Sequence, residues 1–427
     1  MTTIVIGGGI AGLVAATSIA KAHVPVVLLE KASALGGRGA TRERDGFLFN
    51  LGPHALYREG ILRDTLRTFG VDVHGAVPGG NGGFAIHGGT LHTLPAGFTS
   101  LLTTSLLPLA AKVEFAALLS RIGSIDASRF QHESLASWLS THVRHERVRD
   151  VITMLVRVTT FTNAPEVQSA GAAIEQLQLA TRGNVLYVAG GWRTLIEGLR
   201  QAAIDAGVTI RTAASAVALE RRERTVTGVR LADGTLLPAA AVVVTGGPSE
   251  IDVLTGTSFA SRLPASVRHA TLDIGLRALP KPRRLVAFGI DEPLYFSVHS
   301  AVARLAPAGG AVLHVSKYLG VDESADRATE HELEQLVDVL QPGWRDVLVA
   351  RQFLPNLTVT HAMLTAEGGG TAGRPASTLT AYENVFIAGD WVGARGQLSD
   401  AAAASALDAA RAAVSSRTSL GEAALAS

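Results

Sequence analysis

Residues 3–39 read TIVIGGGIAGLVAATSIAKAHVPVVLLEKASALGGRG. The apolar run Ile4, Val5 and Ile6 predicts a buried parallel strand. It runs into Gly7-Gly8-Gly9-Ile10-Ala11-Gly12, a G-x-G-x-x-G that opens an alanine-rich helical stretch, Leu13 to Ala22. Val26 to Leu29 make a second apolar run, ending at Glu30. A strand, a glycine turn, a helix, a strand and an acid in this order are the context in which the pattern signifies dinucleotide binding. Gly7 permits the tight turn, Gly9 lets the backbone approach a pyrophosphate, and Gly12 lets helix and strand pack closely. The helix start offers free N–H groups and partial positive charge to phosphates. Glu30 stands where a carboxylate accepts hydrogen bonds from an adenosine ribose, and it would repel a 2′-phosphate.

Gly36-Gly37-Arg38 follows Glu30, with Thr41 just beyond. Two adjacent glycines again let backbone come close to a ligand, and Arg38 adds a planar, permanently charged fork suited to phosphate. On these residues the chain resembles the flavin-containing amine oxidase, phytoene desaturase and protoporphyrinogen oxidase superfamily. There a GGR-x-x-[ST] segment lies along the FAD diphosphate, and Gly36 to Thr41 match it in full. Phe47-Leu48-Phe49-Asn50-Leu51-Gly52-Pro53-His54 is similar to the family's F-D-x-G turn behind the isoalloxazine, with Asn50 where Asp is usual. The resemblance implies FAD contacts at Gly7, Gly9, Ile10, Ala11, Gly12, Glu30 and Lys31. It implies further contacts at Gly36, Gly37, Arg38, Gly52, Pro53 and His54.

Two later stretches return to the cofactor. Gly190-Gly191-Trp192, the predicted helix 191–206 and the β runs after it resemble a superfamily segment in which a valine backbone meets the adenine. The matching residue is Val217. The run 384–388 ends in Gly389-Asp390-Trp391, and an alanine-rich helix follows to Ala413. The resemblance gives Gly389 and Asp390 to the ribityl and diphosphate part, and Gln397, Leu398 and Ser399 to the flavin end. Ser399 or Asp400 is expected to cap the last helix, whose positive end would face the flavin.

A chain of 427 residues exceeds one ordinary core. The expected fold is α/β. A Rossmann-like FAD domain, a parallel sheet with a β-meander of the kind called GR2, takes residues 1–54, 188–250 and 375–427. An interleaved α+β substrate domain takes the helical 55–187 and the strand-rich 251–374. Helices are expected over 57–69 and 101–158, and a Gly-Gly hairpin over Gly82 to Thr90. Arg157 is read as a structural arginine within the helix layer.

A net charge of +1 gives no electrostatic case for nucleic acid. The chain has no cysteine, which removes disulfides, thiol chemistry and a cysteinyl flavin, so FAD is expected to be non-covalent. The histidines show no metal-ligand spacing, and no metal is expected. A strand beginning at Thr3 leaves no room for a signal peptide, so a cytoplasmic protein is expected. Pro95 to Leu102 is read as an amphipathic helix packed on its own domain, with contact to a membrane surface or a substrate entrance as the other reading.

The expected chemistry is hydride transfer to flavin N5 from a lipophilic substrate, isoprenoid or another secondary metabolite. Amine oxidases of the superfamily place an aromatic ring where Gln397 stands here, and the A-G-D-W form at Ala388 to Trp391 points to the desaturase-like branch. Two other readings stay open: an amine oxidase using O₂, with Tyr295 or Phe296 supplying the missing ring, and a flavoprotein without catalysis. His54 is the candidate acid/base, because imidazole exchanges protons near neutral pH. Substrate identity, electron acceptor and oligomeric state are not fixed by the residues.

Overall fold

The computed structural model describes residues 2–79 and 83–425, with 417–425 as backbone only. Its centre is a five-stranded parallel sheet in the order Thr209–Arg211, Val26–Leu29, Thr3–Ile6, Ala241–Thr245, Val385–Ala388. Apart from the edge strand Thr209–Arg211, which is exposed or half-buried, the strands are largely buried on both faces, which is why their sequences are apolar runs rather than alternations. Val5, Leu28, Val243 and Phe386 share a core with helices Ile10–Lys21, Arg193–Asp205 and Leu398–Leu425. Ile4, Leu29, Val242, Val244 and Ile387 belong to the opposite core, with Val226, Val229 and Leu231 of an antiparallel meander. That meander comprises Ala216–Arg222, Thr225–Leu231 and Leu236–Pro238, with Gly234 at φ 87° in the second turn. Small side chains let the helices sit close to the sheet: Ala15, Ala16, Ala403, Ala406 and Ala409 are all fully buried.

The second layer is a seven-stranded sheet ordered Leu348–Thr360, Val267–Leu276, Ala311–Tyr318, Leu294–Val298, Val286–Gly289, Gly83–His87, Thr90–Thr93. All pairs are antiparallel except Val286–Gly289 with Gly83–His87. The early hairpin is therefore part of the sheet built from the late strands. Gly82, read as its first residue, lies outside the described residues. Helix Arg327–Leu340 packs on this sheet through Leu333, Leu336, Val337 and Leu340. Its start is fixed by the Asp326 carboxylate, which accepts from the Ala328 and Thr329 N–H groups.

A separate helical core joins Leu109–Ile122, Leu135–His142, Glu146–Thr160 and Ala170–Gly183. Ser134 caps the second of these through Ser137 N–H. Arg157 is buried and donates to the carbonyls of Gly289 and Ile290, tying the helices to the mixed sheet. The expected helix over 57–69 is shorter. Leu56–Tyr57 pairs as a strand with Val185–Val188, and the helix spans Ile61–Thr68.

Candidate functional site

A cavity of about 890 Å³ opens where the glycine turns after strands Thr3–Ile6, Ala241–Thr245 and Val385–Ala388 converge. That volume lies within the range of ligand pockets. Gly9 pairs with Gly36 in a single β-bridge, so the two glycine segments form one wall. A Cβ on Gly9 would meet nothing closer than the Gly36 carbonyl at 3.9 Å and would project into open cavity. Gly12 works in the opposite way. A Cβ there would lie 1.8 Å from the Gly7 carbonyl, so this glycine serves packing beneath the turn and does not line the cavity. Ile10 and Ala11, at the start of helix Ile10–Lys21, do line it, and no side chain caps that helix.

Glu30 accepts from the Gly8 N–H at 2.6 Å and the Ala32 N–H at 2.7 Å, so its carboxylate shapes the glycine loop as well as facing the cavity. Lys31 pairs with Glu250 on the rim. Gly37 and Arg38 lie beside Gly36 on the wall, but the Arg38 fork is not free for phosphate. It grips Asp390 with both arms, at 2.9 and 3.1 Å, and also donates to the Val359 carbonyl. Asp390, expected on the ribityl chain, is fully committed: its oxygens also accept from His361 N–H and face His361 Nδ1 at 2.9 Å. Burial alone would push this carboxyl up. Arg38 and His361 outweigh that and hold it well below the usual carboxylate range. Arg374 closes the far side by donating to the Asp390 and Gly396 carbonyls, and burial pushes its guanidinium down to about 10.

Four further expectations are corrected. Val217, whose backbone was expected at the adenine, sits at a bulge and does not line the cavity, which is lined there by Ala214, Ser215 and Ala216. Gln397 turns away and donates to the Ala172 carbonyl at 2.6 Å; its neighbours Leu398 and Ser399 line the cavity. Asp400 does not cap its own helix. It accepts from the Leu62 N–H at 2.8 Å and so caps helix Ile61–Thr68 from outside. His54 lines the cavity with Pro53, but both its ring nitrogens face backbone carbonyls, of Gly52 at 3.0 Å and Arg38 at 3.1 Å. A neutral ring carries one N–H and so donates to only one of these carbonyls, and burial lowers the ring's basicity. Gly52, behind it, has φ 82° and packs under Leu357.

Known proteins resemble this chain. The family described as flavin containing amine oxidoreductase matches residues 10–279, well over half of the chain. The chain belongs to that family. Protoporphyrinogen oxidase of Bos taurus is 39% identical over 116 residues, 24% of each chain. Carotenoid 3,4-desaturase of Haloarcula japonica is 55% identical over 49 residues, 12% of this chain and 10% of that one. The chain thus spans about a quarter or less of the length of these curated relatives. The crystal structure of an oxidoreductase from Methanosarcina mazei superposes with a TM-score of 0.75 at 17% identity, over 95% of this chain and 99% of that one. That likeness is one of fold.

FAD is the cofactor of this flavin-dependent oxidoreductase family, and the residues fit it. The open face of Gly9, the uncapped helix at Ile10, and the first turn of the last helix at Leu398 and Ser399 would receive its diphosphate and flavin ends. Asn50 has a neutral role, accepting at Oδ1 from the Thr41 hydroxyl and the Trp192 N–H. It thereby sets Trp192, whose ring packs edge-on against His54 at 4.7 Å.

The cavity continues past the cofactor segments to Phe161, His269, Leu357, Thr358 and Val359, and none of these was picked out as a contact from the sequence. Strand residues His269 and Leu357 carry no local motif. The segment Thr245-Gly246-Gly247, which also lines the cavity, did carry a signal: a glycine pair between an apolar strand and a helix, as in the first unit. Phe98 and Leu102, read as cover for an entrance, are exposed and do not line this cavity. Tyr295 and Phe296 are buried elsewhere.

Proposed function

We propose that this flavoprotein is a dehydrogenase or desaturase acting on a lipophilic, uncharged substrate. One observation carries the reading. Among the described residues lining the cavity the acids are Glu30, Glu250 and Asp390, and each is already engaged. Glu30 holds two backbone N–H groups, Glu250 holds Lys31, and Asp390 holds Arg38 and His361. An ammonium entering this space would lose its water without gaining a free carboxylate. An apolar molecule gains about 25 cal/mol per Å² removed from water. Leu357, Val359 and Phe161 supply that surface and keep water from the reacting carbon. FAD, when bound, supplies the hydride acceptor. One of the relatives is a carotenoid desaturase, which agrees with this class.

Anaerobic stopped-flow mixing of the FAD-loaded protein with primary, secondary and polyamines tests the reading. The flavin should stay oxidised. Rapid bleaching by any of them overturns the proposal in favour of an amine oxidase.

The same reading extends to delivery of the substrate. Phe98 and Leu102 are one turn apart on helix Phe98–Thr103, and Leu109 and Val113 are one turn apart on helix Leu109–Ile122. All four side chains are more than half exposed, and Lys112 ties the two helices by donating to the Leu102 carbonyl. This supports peripheral contact with a lipid surface. No helix among the described residues is long and apolar enough to cross a membrane. Vesicle co-sedimentation that falls for the F98S/L109S double variant is the expected result.

A further inference from the structure

Two stretches far apart in the chain leave the same end of the mixed sheet. Val286 pairs with Gly83, and the Leu94 N–H donates to the Gly83 carbonyl at 3.0 Å, so Val286, Gly83 and Leu94 lie side by side. Loop 277–285 enters the sheet at Val286, and helices Phe98–Thr103 and Leu109–Ile122 follow from Leu94. The Thr104 hydroxyl donates to the Thr93 carbonyl at 2.6 Å, which folds the first of these helices back onto that end. From residue 88 to 113 the only Lys, Arg, Asp or Glu is Lys112, and this stretch carries the exposed Phe98, Leu102, Leu109 and Val113. Residues 277–289 hold Arg277, Lys281, Arg283 and Arg284 and no acid. Across the chain 38 Lys and Arg stand against 37 Asp and Glu, so this excess of cations is local. The loop rests on the end of helix Arg327–Leu340, where Gln341 bonds the Lys281 backbone. Of the acids there, Glu334 and Asp338 pair with Arg345, and Asp346 lies beside Arg277, which takes its carbonyl. Glu114, next to Val113, accepts from the Arg144 and His145 N–H groups. Arg284 donates to the Val339 carbonyl, while Lys281 and Arg283 are exposed with no side-chain partner among the described residues.

Resting on the reading of the Phe98, Leu102, Leu109 and Val113 face as lipid-contacting, we infer that loop 277–284 is the second half of one docking surface, whose partner is an anionic bilayer. Apolar side chains gain by entering the acyl boundary while cations stay level with the headgroups, so a membrane accepts both at once. Each Lys or Arg held close to an anionic leaflet strengthens binding about fivefold. A soluble polyanion would use the cations and leave the four apolar side chains in water, which is why the lipid is the favoured partner. The apolar face gives contact with any bilayer, and the loop gives the preference for a negatively charged one.

The test mixes FAD-loaded protein with vesicles of phosphatidylcholine alone, or of phosphatidylcholine and phosphatidylglycerol in equal parts, and follows flavin absorbance in the pellet. At low salt wild type should favour the anionic vesicles by about a hundredfold, the product expected of Lys281, Arg283 and Arg284. K281S/R283S should lower binding to the anionic vesicles by roughly twentyfold and leave binding to phosphatidylcholine unchanged, which also shows that the variant is folded. K281R/R283K, which keeps both charges, should match wild type. F98S/L109S should weaken binding to both vesicles. Salt near about 1 M should erase the anionic preference, because it screens charges beyond a few ångströms. Equal binding of wild type to both vesicles, or an anionic preference intact in K281S/R283S, overturns the inference and leaves lipid contact standing. Binding to neither vesicle overturns the inference and the lipid reading together. Binding of soluble polyglutamate as tight as that of anionic vesicles, and unaffected in F98S/L109S, would assign the loop to an acidic protein and overturn the inference likewise.

Discussion

Arg38 and Asp390, 352 residues apart in the chain, form a two-armed ion pair at 2.9 and 3.1 Å that joins the second glycine segment to the end of strand Val385–Ala388. The two partners differ in environment: the Arg38 side chain is 40% exposed and that of Asp390 only 2%. Removing one partner therefore does not equal removing the other. R38A strands a buried carboxylate with His361 alone, whereas D390N leaves a guanidinium that water can serve. We expect R38A to cost about 2 kcal/mol, below the full penalty for breaking a buried pair because Arg38 is partly solvated, and D390N about 1 kcal/mol. Thermal melts of the apoproteins should rank R38A below D390N; the reverse order contradicts this account.

Asp400 sets a pH dependence. Burial, with the nearby Asp64 charge, raises its carboxyl to about 6, and the Leu62 N–H only partly offsets this. Its Oδ2 is buried without a partner, where a proton would sit. An unfolded aspartate titrates near 3.9. Between about pH 4 and pH 6 the folded chain holds more protons than the unfolded one, so stability falls as pH rises through that window. The total is on the order of 3 kcal/mol. Urea unfolding of apoprotein should show this slope, and D400N, whose amide oxygen can still accept from Leu62, should flatten it and be the more stable variant above pH 6.

Gly9 and Gly12 should separate binding from folding. At Gly9 the backbone is ordinary, with φ −82°, and the added side chain would fill cavity. G9L should leave the apoprotein melting temperature within about 1 °C while abolishing flavin retention, since surface-like changes move stability little. At Gly12 even one methyl collides with backbone. G12A should cost about 2 kcal/mol or more, from strain in a packed turn. The ratio of flavin to protein absorbance and the apoprotein melt distinguish the two.

The cofactor should leave intact. With no cysteine in the chain, acid precipitation should release flavin that chromatographs as FAD. E30A should weaken FAD by about 1–3 kcal/mol, the scale of hydrogen bonds to a charged group. Because Glu30 also holds the Gly8 N–H, its loss should loosen the glycine loop, and faster amide exchange at Gly8 would report that. Unchanged exchange with weakened binding would assign Glu30 to the ribose alone.

Local chemistry made the parallel sheet and its glycine turns legible. Runs such as Val242-Val243-Val244 must be buried on both faces, and a glycine pattern between strand and helix has few physical uses. Tertiary packing decided the rest. Arg38 looked free because its partner lies beyond sequence reach, and Asp390 looked like a ligand for the same reason. Asp400 caps a helix that begins at Ile61, which no pattern within its own segment could reveal. Gln397 is turned away by one bond to Ala172, and a bulge at Val217 leaves its neighbours Ala214 to Ala216 on the cavity wall, shifts that spacing cannot register. His269 is one apolar-strand residue among many until the sheet buries it against Phe161 with no partner for either nitrogen. The sequence by itself determined the dinucleotide unit, since that depends on neighbours in the chain. The fold decided which polar groups are satisfied and which are buried without a partner, since that depends on neighbours in space.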